Sequence, residues 1–117
     1  MFLFDGSGLS GHDLVTPRAL TQILAYAARQ PWFAGFKAAL PVGGVDGSLA
    51  SRFSGPLRGR VFAKTGTLGE SRALSGLLTA NSGASVIFSI LVDAHSPNSS
   101  ADRAAIDQIV ELIAAQN

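Results

Sequence analysis

Three apolar segments in the second half of this 117-residue chain constrain its fold more than any other feature. They run from Arg60 to Lys64, from Ala73 to Ala80 and from Ala84 to Val92, and they are rich in residues that favour extended backbone. Asn81-Ser82-Gly83 is a tight-turn signal between the last two segments. Strands this close in sequence usually pair with one another, so the segments predict a three-stranded antiparallel sheet.

Two glycines are expected to affect these strands. Gly66 marks the end of the first strand and begins a turn that runs to Glu70, while Gly76 weakens the second strand. The third segment is apolar almost throughout, as is typical of a strand buried on both faces.

Helices are predicted before and after the three strands in the sequence. Thr16 and Pro17 have the chemistry of an N-cap and a first helical residue, and the helix should run from Pro17 to Arg29 because Pro31 disfavours helix just before it. A last helix is predicted from Ser100 to Ala115, capped by Ser99 or Ser100.

A short helix is predicted between these elements, from Trp32 to about Ala39, and its aromatic residues Trp32, Phe33 and Phe36 are assigned to the core. Two glycine-rich loops, Asp5 to Gly11 and Leu40 to Leu49, complete the pattern.

Asp46 lies in the second of these loops. It either faces a cleft or, as we favour, holds the loop through backbone N–H groups in an Asx-type turn. Phe2 to Phe4 could end a strand, and the second loop could finish in one helical turn.

Residues 1–117 therefore form one domain at most. The fold class is α/β in composition and α+β in arrangement, with a three-stranded antiparallel sheet and flanking helices. The hydrophobic share of 47% and the charged share of 15% indicate a chain that buries a core or belongs to a larger one.

Composition also excludes several classes of function. A net charge of +1 argues against a nucleic-acid or anionic-lipid partner, and no apolar run approaches the ~18 residues of a transmembrane segment. The chain has no cysteine, and His12 and His95 stand apart from other metal-ligating residues, so we expect no metal and no cofactor. Met1 to Phe4 is too short for a signal peptide.

Gly6, Gly8 and Gly11 spell G-x-G-x-x-G, the pattern of a dinucleotide-binding loop. That motif needs a helix beginning among the glycines and an acidic residue about 20 positions later. The predicted helix begins only at Pro17, and no acidic residue lies between Asp13 and Asp46. A tight turn is the better interpretation.

Four motifs in order resemble the D-Ala-D-Ala carboxypeptidase/endopeptidase family of low-molecular-mass penicillin-binding proteins. They are D-G-S-G-L-S at Asp5 to Ser10, L-V-T-P at Leu14 to Pro17, L-P-V-G-G-V-D-G-S-L at Leu40 to Leu49 and A-K-T-G-T-L at Ala63 to Leu68. The resemblance covers roughly Asp5 to Val92. It implies the C-terminal part of a β-lactamase/transpeptidase-like catalytic domain.

The resemblance also implies a site and a substrate. Lys64 and Thr67 would be catalytic: the ammonium would hold a neighbouring serine and favour a substrate carboxylate, and the Thr67 N–H would be one oxyanion donor. Thr65 would bind the carboxylate and Gly66 would leave room for the peptide. The partner would be a peptidoglycan stem peptide or a β-lactam, lying along the edge of Val61 to Thr67, in a periplasmic or other extracytoplasmic location.

The nucleophile motif of that family, S-x-x-K, does not occur, because Val61 stands three residues before Lys64 and Ala34 three before Lys37. Ser96-Pro97-Asn98 matches the second motif, S-x-N, but follows K-T-G instead of preceding it. We therefore expect the chain to be inactive alone. Two alternatives stay open: an inactive fragment or peptide-binding module, and a Lys64 that merely extends over apolar surface at a strand edge.

A last expectation concerns the third strand. In domains of this family its far edge pairs with an N-terminal strand, so in this chain the edge is predicted to be apolar and unpaired, which favours self-association.

Overall fold

The structure is a computed structural model that describes residues 1–94 and 100–117. Its helices are α1 (Pro17–Ala27), α2 (Phe33–Ala38) and α3 (Ala101–Gln116), with a short 3₁₀ helix at Gly47–Leu49. Its strands are β1 (Val61–Leu68), β2 (Ser71–Thr79) and β3 (Ser85–Val92). The predictions for His95, Ser96-Pro97-Asn98 and Ser99 concern residues outside the described part.

The three strands form one antiparallel sheet in the order β1-β2-β3, which confirms the predicted fold class. One predicted boundary is wrong, because β1 does not end at Gly66 but continues to Leu68. Gly66 pairs with Ala73 in the ladder, and the turn is reduced to Gly69 and Glu70. Gly69, with φ of 54°, is the glycine that the turn requires.

Gly76 has a different role from the predicted weakening of β2. It pairs with Ala63, and a β-carbon at position 76 would lie 2.1 Å from the carbonyl oxygen of Phe62 and 2.6 Å from the Ala63 α-carbon. Both neighbours are backbone atoms of β1, which cannot move without breaking the sheet. The glycine is therefore what allows β1 and β2 to approach each other.

The helix predictions are correct to within two residues at the ends of α1 and α3. The Thr16 hydroxyl accepts a hydrogen bond from the Ala19 N–H at 3.1 Å, which confirms the predicted N-cap of α1. Ser100 occupies the N-cap position of α3, although its side chain makes no capping hydrogen bond with the described residues. None of the described helices is long and apolar enough to span a membrane.

The core lies between α3 and one face of the sheet. Because side chains alternate along a strand, Val61 and Ala63 point to this face while Phe62, Lys64 and Gly66 point to the other. The residues buried in this core come from the sheet, the loop before β1 and α3: Leu49, Phe53, Leu57, Val61, Ala63, Leu74, Leu78, Ala80, Phe88, Ile106, Val110 and Ala114. The opposite face of the sheet packs against α1 through β2 and β3.

The prediction that the aromatic residues of α2 belong to the core is wrong. Trp32 is 51% exposed, and no residue of α2 is buried. The rings contact one another instead, with Phe36 6.2 Å from Trp32 and 6.3 Å from Phe33 between centroids. Lys37 lies 4.3 Å above the Phe62 ring, so a cation–π contact joins this short helix to β1.

Substitution Gly76→Ala should destabilise the protein by about 3 kcal/mol, because the new methyl group would overlap the backbone of β1. Urea unfolding followed by circular dichroism measures this free energy. The matched control is Gly35→Ala in α2, where a β-carbon would meet nothing within 4 Å. There alanine should stabilise the helix by about 0.5 kcal/mol. Similar effects of the two substitutions would contradict the close approach of β1 and β2.

Candidate active site

Among residues 1–94 and 100–117, the outer edge of β1 is covered only along its first three residues. Residues Pro41–Gly43, which we call the strap, pair with this edge: the Ala63 N–H donates to the Pro41 carbonyl at 3.1 Å, and the Gly43 N–H donates to the Val61 carbonyl at 2.8 Å. Val42 and Phe62 form the corresponding antiparallel bridge. The strap thus occupies Val61–Ala63 and leaves the rest of the edge open.

The alternation of backbone groups along β1 determines what the open part offers. The N–H of Ala63 and the carbonyl of Val61 bond outward to the strap, so residues two and four positions further on, Thr65 and Thr67, also direct their backbone groups outward. Within the described residues, no backbone group bonds to the N–H of either threonine. The open edge therefore presents two unused donors, of which the Thr67 N–H is the one that the sequence predicts as an oxyanion donor.

Asp46 holds the strap in place. Its carboxylate accepts a hydrogen bond from the Val42 N–H at 2.7 Å, which confirms that Asp46 holds the loop through the backbone. The bond runs four residues backward, however, so the motif is not the Asx-type turn that was predicted. Gly43 supports the same arrangement, because a β-carbon there would lie 3.0 Å from the Phe53 side chain and 3.2 Å from that of Val61.

Lys64 is exposed and does not point into the packed interior. Its ammonium group donates a hydrogen bond to the Thr65 carbonyl at 2.6 Å, so the charge lies at the open edge of β1. An apolar groove of about 270 Å³ begins beside it, lined by Leu20, Ile23, Leu24, Phe36, Leu40, Lys64, Thr65, Gly66, Ala73 and Ser75. This position suits a lysine that meets substrate and equally one that only covers apolar surface.

A polar pair lies next to Lys64 on the same face. Ser75, the cross-strand partner of Lys64, is hydrogen-bonded to Ser89 of β3 at 2.8 Å between the hydroxyl oxygens. Gly66, the next β1 residue on this face, has only the Ala73 β-carbon, at 3.4 Å, near the position a β-carbon would take. The space in front of Gly66 is therefore open toward the groove.

Thr65 and Thr67 point to the other face, toward a second, polar cleft of about 210 Å³. The Thr65 hydroxyl donates to the Ser48 hydroxyl at 2.8 Å. The residues lining this cleft are Ser48, Ser51, Arg52, Thr65, Gly66, Thr67, Arg72, Ala73 and Arg103. The site thus has a cation and an apolar groove on one side of the β1 edge, and hydroxyls and guanidinium groups on the other.

The structure brings the four predicted site residues, Lys64 to Thr67, together along one open edge. Sequence reasoning missed Ser48 and Arg72, although Ser48 lies within the L-P-V-G-G-V-D-G-S-L motif. A hydroxyl in a glycine-rich loop gives no sign of which strand it will contact, so only the fold could identify it.

The N-terminal loop lies beside the end of β1, where Asp13 and Leu14 line a cleft of about 490 Å³ together with Leu68 and Arg72. Phe2 and Leu14 form an isolated antiparallel bridge, and the Ser7 hydroxyl and N–H donate to Asp5, which lowers the pKa of that carboxyl. His12 lies against the ring of Phe4, 5.5 Å between centroids. Within residues 1–94 and 100–117 no group of side chains could hold a metal ion.

The chain matches one protein family along almost its whole length. The model of the family described as D-Ala-D-Ala carboxypeptidase 3 (S13) covers residues 1–116. The chain is 37% identical over 97 residues to D-alanyl-D-alanine carboxypeptidase DacB of Haemophilus influenzae, covering 80% of this chain and 20% of that protein. It is 41% identical over 102 residues to the D-alanyl-D-alanine carboxypeptidase of Actinomadura sp., covering 82% and 19%.

A solved structure shows the same fold. Penicillin binding protein 4 (dacB) from Haemophilus influenzae, complexed with a novel β-lactam, matches with a TM-score of 0.88 and 30% identity, covering 97% of this chain and 28% of that one. These matches confirm the resemblance carried by the four motifs. The chain spans about a fifth of the length of the curated relatives.

Proposed function

Since the chain belongs to the D-Ala-D-Ala carboxypeptidase 3 (S13) family, we propose that it supplies the K-T-G side of a serine-type D-Ala-D-Ala carboxypeptidase/endopeptidase site. This site would act on peptidoglycan stem peptides in an extracytoplasmic location and would be acylated by β-lactams. Residues 1–117 would be the C-terminal part of the catalytic domain. The nucleophilic serine would come from a segment outside this chain.

The observation that carries the proposal is the open edge at Thr65–Thr67. A peptide can add there as a further strand, because the strap stops at Ala63 and the backbone groups of both threonines point outward. The peptide's scissile carbonyl would then lie near the Thr67 N–H. Lys64 would stand on one side of that carbonyl and the Thr65 hydroxyl on the other.

Each residue of the edge has a role in acyl transfer. The serine oxygen would attack the carbonyl carbon of the D-Ala-D-Ala bond, the leaving D-alanine would take a proton, and water would later hydrolyse the acyl ester. The Thr67 N–H would stabilise the oxyanion, a contact typically worth about 3 kcal/mol of the barrier. The Lys64 ammonium would stabilise the deprotonated oxygen of the attacking serine. Gly66 would leave room for the peptide.

A second candidate function is a peptide-binding module without catalysis. The lack of S-x-x-K in the sequence and the open β1 edge favour it. The two candidates differ in one respect, because only the first predicts that the chain completes a catalytic site when a nucleophile is supplied.

Labelling with a fluorescent penicillin separates them. The chain alone should remain unlabelled, since it has no S-x-x-K serine. A chimera in which it replaces the matching segment of the Actinomadura carboxypeptidase should be labelled covalently. Lys64→Ala in that chimera should slow labelling by about 100-fold, the loss typical for a preorganised electrostatic contact.

Lys37→Ala is the matched control, because Lys37 is the only other lysine in the sequence and its charge lies over the Phe62 ring. It should keep the labelling rate near that of the unsubstituted chimera. A chimera that melts cooperatively but takes no label would refute the catalytic proposal. Equal rates for the two lysine variants would leave Lys64 with only a covering role.

We also propose that the isolated chain self-associates through β3. In the described residues β3 pairs only with β2, so its outer edge is open, and the backbone alternation directs the groups of Ile87, Ser89 and Leu91 outward. An apolar strand edge of this kind favours pairing with a second copy.

Leu91→Lys should convert the associated chain to monomer, because a lysine on the edge disfavours strand pairing between copies. Light scattering after size-exclusion chromatography measures the mass. The control is Leu112→Lys, the same change at an exposed position of α3, which should leave the association intact. A monomeric unsubstituted chain, or dissociation by Leu112→Lys alone, would contradict pairing through β3.

A further inference from the structure

We infer that Arg72 determines specificity at this site by binding the free C-terminal carboxylate of the peptide, together with the hydroxyls of Thr65 and Thr67. The inference rests on the proposed function and adds a residue that none of the four motifs contains. Its consequence is a preference for peptides that end at the scissile D-alanine, which is a carboxypeptidase preference, over internal peptide bonds.

The sheet register places Arg72 beside the carboxylate-binding edge. Arg72 of β2 is the direct cross-strand partner of Thr67, and the two belong to a pair without mutual backbone hydrogen bonds, the kind in which facing side chains lie closest. Both residues line the polar cleft into which Thr65 also points. An anion held by the two threonines is therefore within reach of the Arg72 side chain.

The hydroxyl groups of this cleft can donate a hydrogen bond to an anion. The Thr65 hydroxyl already donates to Ser48, which leaves the Ser48 proton for a third group. Hydroxyl protons rotate freely, so when an anion enters, one of the two can donate to it without breaking the bond between them. A carboxylate accepts several such bonds, which suits a cleft lined by hydroxyls.

The charge of the cleft also favours an anion. Arg52, Arg72 and Arg103 line it, and among the described residues no acidic side chain does so. Arg52 donates to Asp107 of α3 at 3.1 and 3.2 Å, which fixes that guanidinium at the side of the cleft. Since Asp107 offsets the charge of Arg52, Arg72 and Arg103 give the cleft its positive charge, which favours a carboxylate over an uncharged peptide amide.

An arginine suits this task better than a lysine. Its planar guanidinium can donate two parallel hydrogen bonds to the two oxygens of one carboxylate, whereas an ammonium acts as a point charge. Arg72 should therefore recognise the planar shape of the ligand's C-terminal carboxylate as well as its negative charge.

Nuclear magnetic resonance titration of this chain tests the inference. The probes are N-acetyl-D-alanyl-D-alanine and its C-terminal amide, observed through the backbone signals of Thr65 and Thr67 and the arginine Nε–H signals. The free acid should shift the Arg72 Nε–H signal and bind at least about tenfold more tightly than the amide, as charge-assisted hydrogen bonds imply. Acetate alone should bind more weakly than the dipeptide acid.

Substitutions at position 72 separate specific binding from a structural role. Arg72→Gln should remove most of the preference for the acid over the amide, leaving the smaller part that Lys64 and the hydroxyls provide, and Arg72→Lys should restore only part of the loss. Arg18→Gln removes a cation from an exposed position of α1 and should leave the preference unchanged. Circular dichroism spectra matching that of the unsubstituted chain would show that each variant is folded.

Two outcomes would overturn the inference. An undiminished preference for the acid in folded Arg72→Gln, or an amide that binds the unsubstituted chain as tightly as the acid, would show that Arg72 does not recognise the C-terminal carboxylate, while peptide binding at the edge would still stand. If instead neither probe shifts Thr65 or Thr67, the fault lies with the proposed function itself, since the edge then binds no acyl-D-alanine peptide.

Discussion

The partial covering of one strand edge is the constraint on which the site depends. The strap pairs with Val61–Ala63 and stops, so β1 is an internal strand for three residues and an edge strand from there onward. An edge strand that stayed open along its whole length would favour uncontrolled pairing. Because the strap ends at Ala63, the proposed peptide addition would be restricted to the segment that carries Lys64 to Thr67.

The rest of the fold holds that edge in place. Alanine and glycine face each other where β1 and β2 pair at Ala63 and Gly76, which lets the two backbones approach closely. Beneath this contact Val61 and Ala63 are fully buried against the α3 side of the core. Asp46 lies in the same loop as the strap and accepts a hydrogen bond from the Val42 N–H, so it holds the strap in position along β1.

Sequence reasoning succeeded where the signal is local and failed where it depends on register. The apolar runs and the Asn81-Ser82-Gly83 turn were enough for the sheet, and Thr16-Pro17 for the start of α1. Gly66 was assigned to a turn because glycine usually interrupts a strand, yet here it pairs within the ladder. Arg72 and Ser48 lie next to Thr67 and Thr65 only through cross-strand pairing and a loop contact, and neither relation can be counted along a sequence.

The amide groups along β1 give the most direct measure of this account. Hydrogen exchange resolved by residue should show Ala63, Lys64 and Gly66 protected, the first by the strap and the other two by β2, while Thr65 and Thr67 exchange about 100-fold faster, as amides with no backbone partner do. Thr65 and Thr67 amides as protected as that of Ala63 would mean that the edge is closed, and the proposed site would then have no place for its peptide.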